Sequence, residues 1–304
     1  MAVRVLLAAV LAAVLVAPAA GAREASPAFA PYAGLGTWLD IYATSFWDNP
    51  PQQVAAMARD GVKTLYLQTG NYGQQADRSE LGRFIDAAHA HGIAVVAWYL
   101  PSFAHPEQDA HASLQAIRFR SAHGERFDSF ALDIEASIVP SESLRNARLI
   151  SLSERLRRAV GPRYALGAII PSPLGMIRHR HYWRSFPYRK VARIYNVFLP
   201  MAYFTDRDLH GIRAVRSYLA ADVAIIRRRT RRRDVPVHLI GGISGSMTRA
   251  DTTGFMRAVA DCRPLGYSLY AFSVMRPGMW PALRAPASDP TGKACTHSGY
   301  PLRG

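Results

Sequence analysis

The feature that most constrains this chain is a regular alternation, from residue 34 onward, of short apolar runs with amphipathic helical stretches. The apolar runs are Gly36–Tyr42, Val62–Gln68, Ile93–Leu100, Ser129–Glu135, Ala165–Ile170, Val197–Tyr203, Val237–Gly242 and Tyr267–Ser273. Most are rich in Val, Ile, Leu, Tyr and Phe, the near-continuous apolar composition of parallel strands buried on both faces. Between them the spacing predicts helices over Pro51–Arg59, Ser79–His91, Pro106–Ser121, Ser141–Val160, Tyr188–Arg193, Leu209–Arg232 and Arg249–Asp261. Ser79 at a helix start, Gly92 after His91, and Gly161-Pro162 after Val160 are start and stop signals that rest on capping chemistry. Eight strands with helical crossovers spread over about 250 residues fit a closed (β/α)8 TIM barrel, here a single domain over residues 34–284. With 49% hydrophobic and 19% charged residues, the chain can bury one such core. An open doubly wound sheet is the alternative, but no Gly-x-Gly-x-x-Gly follows the first strand, so its nucleotide-binding version lacks its main signature.

The flanks bear on compartment. Arg4 precedes the apolar run Val5 to Val16, and Ala20-Gly21-Ala22 has the form of a secretory cleavage site, so residues 1–22 read as a signal peptide. No later stretch approaches the roughly 20 apolar residues of a spanning helix, so no stable membrane span is expected after removal of the leader. Residues 23–33 read as a linker and 285–304 as a loop-rich tail. Cys262 and Cys295 are the two cysteines of the chain, and an oxidising compartment lets such a pair bridge, tethering the tail. The expected location is therefore secreted or associated with the cell envelope.

A net charge of +15 comes from 37 Lys and Arg against 22 Asp and Glu. Its densest run, Arg227 to Arg233 broken only by Thr230, ends a predicted helix, where cations complement the dipole. An anionic cell-envelope polymer is the partner this run would suit; the competing explanation is a solvated helix end on the barrel face opposite the chemistry. No nucleic acid partner is expected.

In a barrel of this kind the chemistry sits at the C-terminal strand ends. The fourth strand carries Phe127-Asp128-Ser129-Phe130-Ala131-Leu132-Asp133-Ile134-Glu135. Strand periodicity puts Asp133 and Glu135 on one face, with Cβ atoms roughly 6–7 Å apart. Two acids that close raise one another's proton affinity, so one can stay protonated as a general acid while the other is ionised, the division of labour that glycosidic cleavage requires. The alternative is that both are salt-bridged to barrel arginines.

These nine residues resemble the Asp-x-x-Asp-x-Asp-x-Glu signature of family 18 glycoside hydrolases, the chitinases and their relatives. Asp128, Asp133 and Glu135 match its first, third and fourth acidic positions, and Ala131 stands at the second. The resemblance implies Glu135 as general acid and Asp133 as the group that orients a substrate N-acetyl nucleophile. Pro200-Met201-Ala202-Tyr203 is similar to that family's Met-x-Tyr-Asp, with Phe204 in place of the aspartate and Asp206 nearby. Asp40, closing Thr37-Trp38-Leu39-Asp40, is more distantly similar to the first-strand aspartate of family 25 lysozymes.

Barrel glycosidases with a protein nucleophile commonly carry it on the seventh strand, yet Pro236 to Gly245 contains no carboxylate, which favours substrate assistance or a partner such as Asp40. Candidate sugar contacts are Asp40, Trp38, Gln68, Tyr99, Met201, Tyr203 and Asp206, with Tyr42, Trp47, Asn71, Tyr72 and Phe272 as further aromatic or polar groups near strand ends. His179-Arg180-His181 has metal-like spacing without companion ligands, so neither a metal nor a cofactor is expected. The expected function is an exported glycosidase acting on a carbohydrate; the alternative is a carbohydrate-binding barrel without turnover.

Overall fold

The computed structural model describes residues 27–284 and Cys295. The expected leader, residues 23–26 of the expected linker, and the tail apart from Cys295 lie outside the described residues. Eight parallel strands close in sequential order: β1 (Gly34–Leu39), β2 (Thr64–Asn71), β3 (Ala94–Leu100), β4 (Ser129–Asp133), β5 (Leu166–Pro171), β6 (Val197–Met201), β7 (His238–Ile243) and β8 (Gly266–Tyr270), with β8 pairing back onto β1. The helices are α1 (Thr44–Trp47), α2 (Pro50–Arg59), α3 (Arg78–Ala90), α4 (Pro106–Ile117), α5 (Glu142–Val160), α6 (Pro173–Arg178), α7 (Arg180–Trp183), α8 (Tyr188–Ile194), α9 (Ile212–Thr230), α10 (Arg249–Cys262) and α11 (Trp280–Arg284). The single-domain (β/α)8 barrel is therefore the architecture.

Local chemistry explains most boundaries. Asp77, not Ser79, caps α3 by accepting the backbone N–H groups of Ser79 and Glu80. Gly92 and Gly161 follow helix ends with φ of 66° and 74°, values that favour glycine. β6 ends at Met201; the Ala202 N–H is shared between the Pro200 carbonyl and the Ile240 carbonyl of β7. Both β4 and β6 are shorter than the sequence suggested, so Glu135 and Tyr203 stand on the loops just beyond them. The stretch after β5, where no helix is predicted before Tyr188, folds into α6 and α7. Cys262, at the end of α10, is disulfide-bonded to Cys295. Among the described residues no helix is long and apolar enough to cross a membrane.

Strand parity sorts the side chains into two cores. Leu39, Leu65, Leu67, Ala97, Tyr99, Phe130 and Leu132 point outward and pack beneath the helices. Trp38, Tyr66, Val96, Trp98, Ala131, Leu199, Met201 and Ile240 point inward and fill the barrel. The expected linker is a correction from residue 27 onward. Pro27–Tyr32 is a 3-10 helix, and Tyr32 is fully buried in the barrel core, bonded through its hydroxyl to Ser129 and the Phe130 carbonyl. A phenol that reaches hydrogen-bond partners in an apolar plug is worth more than solvated linker, which the sequence gives no local sign of.

A polar network spans this lower core. His238, fully buried, places Nδ1 2.9 Å from the Tyr32 carbonyl oxygen and Nε2 2.9 Å from Ser268 Oγ. Because a carbonyl only accepts, Nδ1 carries the proton and Nε2 accepts from Ser268. Ser268 Oγ in turn accepts the Trp38 Nε1–H, and the Trp38 ring stacks on Tyr66 with centroids 4.2 Å apart. Gly266 makes this possible, since a Cβ there would lie 2.2 Å from the Tyr32 carbonyl and 2.4 Å from His238 Nδ1.

Burial holds the His238 pKa down to about 4. An unfolded histidine titrates near 6.5, so between those values the unfolded state binds more protons and stability falls as pH drops, by about 3 kcal/mol in all. Asp222, buried and pushed up to about 7, acts in the opposite sense over an overlapping window. The measurement is therefore a difference: wild type minus His238→Gln, in denaturant midpoint against pH. The difference should change between about pH 6.5 and 4. A flat difference would mean that the ring is charged or solvated in the folded state.

Candidate active site

Inward parity carries from Trp38 to Asp40, from Tyr66 to Gln68 and from Ala131 to Asp133, placing all three polar groups at the C-terminal mouth. Asp133 ends β4 and is 4% exposed, and its Oδ1 has no hydrogen-bond partner among the described residues. Glu135, half-buried, lies two residues on. Burial pushes the Asp133 carboxyl well above the ordinary range, and the nearby Glu135 charge adds to this. Burial raises Glu135 as well. None of the ion pairs among the described residues involves either acid, so the salt-bridge alternative does not hold. Asp128 is at the other end of β4, where it accepts the Val95 N–H and pairs with His89; it supports strand pairing away from the mouth.

Glu135, Met201, Tyr203 and Asp206 line one cavity of about 270 Å³, with Ser172, Tyr182, Arg207 and Tyr218 completing its wall. Asp206 is exposed on a 3-10 turn, Phe204–Arg207, that follows β6. Tyr203 is pushed far above a normal phenol by burial, with the charges of Glu135, Asp133 and Asp206 adding to this. Tyr270 feels Asp40, Asp133 and Glu135 together, and its ring lies 5.7 Å from that of Tyr203. Asp40, Tyr270, the acid pair, Tyr203 and Asp206 thus form one electrostatic group. Asp40 is firmly held: Oδ1 accepts the N–H groups of Tyr42 and Ala43, and Oδ2 accepts the Tyr270 hydroxyl at 2.8 Å.

Three expected sugar contacts are corrected. Tyr99 points outward because Trp98 takes the inward position on β3; it is 1% exposed in the helix-side core, its hydroxyl 3.4 Å from Asp109. Trp38 is 2% exposed with one face covered by Tyr66, leaving no platform for a sugar ring. Gln68 is buried, and its Oε1 accepts the Ile41 N–H, so it holds the loop after β1. Among the further candidates, Trp47 packs edge-on against Phe84, and Phe272 packs against Phe46 and Trp280. Tyr42 and Tyr72 are exposed, and Asn71 donates to the Tyr42 hydroxyl at 2.6 Å.

Sequence reasoning missed Tyr182, whose hydroxyl donates to the Glu135 carbonyl, and Tyr270, the partner of Asp40. Tyr270 lies within the eighth apolar run and was findable by the same search of strand ends; nothing local marks Tyr182. His179 lines the cavity wall and sits 3.0 Å from Arg207. Among the described residues no cluster of three or more His, Cys, Asp or Glu side chains is placed to hold a metal.

No family model matches this sequence, and no curated protein does. Solved structures match in fold. An endo-β-1,4-mannanase from Thermotoga petrophila aligns with a TM-score of 0.62 at 12% identity, covering 79% of this chain and 68% of that one. The chitinase from Chromobacterium violaceum aligns at 0.56 and 12% identity, covering 83% and 98%. The spore cortex-lytic enzyme SleL from Bacillus cereus aligns at 0.60 and 8% identity, covering 83% and 73%. At such identities the likeness is one of fold: this chain is built on the (β/α)8 barrel that these enzymes share.

Proposed function

We propose that this protein is an exported glycoside hydrolase acting on a polysaccharide or glycoconjugate that contains N-acetylhexosamine, with Glu135 as general acid and Asp133 as the stabilising partner. The observation that carries the reading is the unpartnered Oδ1 of buried Asp133 beside Glu135. A buried carboxylate oxygen without a partner is costly, so a ligand group is its natural complement. Burial raises the proton affinity of both acids, which favours a proton on the pair, as a general acid needs. A mannanase, a chitinase and a cortex-lytic enzyme share the fold, which supports the same class. β7 carries no carboxylate, so the nucleophile is assigned to the substrate acetamido group, with Asp133 orienting it.

Ala131 favours a second reading, a carbohydrate-binding barrel without turnover. It points into the barrel where the resemblance expects an aspartate, so no carboxyl stands there to support Asp133. Wild type beside Glu135→Gln, screened on chromogenic glycosides and wall polysaccharides, separates the two. The enzyme reading expects at least ~100-fold lower turnover in Glu135→Gln with sugar binding retained, impaired turnover in Asp133→Asn, and inhibition by a thiazoline mimic of the cyclised acetamido group. Full activity in Glu135→Gln would sink the assignment, and binding without hydrolysis by wild type would leave the lectin.

The pH profile tests the same pair. Because the general acid must be protonated, kcat/KM should fall as pH rises through the pair's upper titration, at a pH above the ordinary carboxylate value of about 4–4.5. In Asp133→Asn the limb should move to lower pH, since Glu135 no longer ionises beside a second acid. A basic limb at an ordinary carboxylate pH in wild type would place the pair in water rather than in a buried site.

Export rests on residues 1–22 and agrees with a cysteine bridge, which persists in oxidising compartments. Amino-terminal sequencing of protein recovered from outside the cell should begin at Arg23. Recovery of Met1 on membranes would indicate an anchor instead.

A further inference from the structure

A strongly basic feature lies outside the mouth. A cavity of about 670 Å³ is lined by Arg180, Arg184, Arg189, Lys190, Arg228 and Arg229, and no Asp or Glu lines it. Through Arg189 it runs into a smaller hollow of about 290 Å³ flanked by Arg193, Arg231 and Arg232. Arg193 and Arg232 also border a third, of about 780 Å³, beneath the N-terminal ends of β6, β7 and β8, where Asp234 is the one acid in the wall. The three join along α8. All nine cations are exposed, and none takes part in an ion pair among the described residues.

A helix dipole accounts for Arg228 and Arg229 at the end of α9. It does not account for the facing wall, which comes from the separate segment 180–193. Two segments distant in sequence have been folded together so that like charges face one another across a concave surface. That arrangement is unfavourable until an anion occupies it. We propose that this groove is a binding track for an anionic polysaccharide, a linear chain whose repeated carboxylates pair with the arginine forks.

The lining argues against the other polyanions. Its aromatic residues Trp183, Phe186, Tyr188 and Tyr195 are buried and Phe29 is half-buried, so the groove offers no fully exposed ring on which unpaired bases stack. A duplex is broader than its own major groove of about 12 Å, so it would ride over hollows of this size rather than enter them. Met176 lines both the basic groove and the Glu135 cavity, so a chain held on the track passes directly behind the candidate active site. The choice of a glycan over another polymer rests on the glycosidase reading; the charge argument does not.

The probe is polygalacturonate, titrated against the full-length protein beside a neutral mannan and duplex DNA. Wild type should bind polygalacturonate and not the mannan through this surface, with affinity falling linearly in log–log plots as salt rises from about 50 to about 200 mM. The triple variant Arg189→Ala/Arg228→Ala/Arg229→Ala should bind at least about tenfold more weakly with a shallower salt slope. The same three positions changed to Lys should keep most of the affinity, which separates lost charge from lost fold. Glu135→Gln should bind as wild type does, making the result independent of whether the protein hydrolyses anything. Equal binding by the alanine triple, no preference for polygalacturonate over mannan at low salt, or duplex DNA bound as tightly as polygalacturonate would each overturn the proposal.

Discussion

Filling the inside of a closed eight-stranded barrel is the constraint on which the rest of this molecule depends. Only every second residue of each strand reaches the axis, and the space there admits few large side chains at any level. In the lower half that space is taken by Tyr32, Tyr66, Trp38 and His238, tied by hydrogen bonds through His238 and Ser268. Gly36 and Gly266 yield volume to them: a Cβ on Gly36 would come within 2.7 Å of the Tyr66 ring. With the bottom sealed by a plug from residues before β1, the inward positions further along the strands are free to carry polar groups at the mouth.

Those polar groups are shaped by desolvation more than by pairing. Asp40 is satisfied by two backbone N–H groups and a phenol, whereas Asp133 has one oxygen with no partner among the described residues. The contrast between two neighbouring aspartates, one occupied and one open, is what gives the mouth a chemical direction. Tyr203, Tyr270 and Tyr182 surround the acids with phenols whose own ionisation is suppressed by burial, so they remain donors. A small cavity beside Glu135 then has acids and hydroxyl donors in its wall, and Asp133 stands two residues before Glu135.

Outside the barrel the charge distribution is decided by different physics. The helices need only one apolar face, so their outer positions are free to be charged, and in this chain the cations are almost all arginine. Which arginines meet is set by how α7, α8 and α9 pack on the wall, and α6 is thin enough that Met176 borders both the basic groove and the mouth.

By itself the sequence determined the number of strands, their order and the acid pair. Hydrophobic runs of strand length are visible locally, and period two is enough to place Asp133 on the inner face. The same period placed Tyr99 correctly only once Trp98 was known to point inward, and the run of Val, Ala, Trp and Tyr over β3 has no polar residue to break the tie. Tertiary structure alone decided that Pro27–Tyr32 is a plug, that Tyr182 reaches the Glu135 carbonyl across 47 residues, and that residues 180–193 face the end of α9. Each of these depends on contacts between segments far apart in the chain. Periodicity reports which way a side chain points from its own element, and it carries no information about what stands opposite.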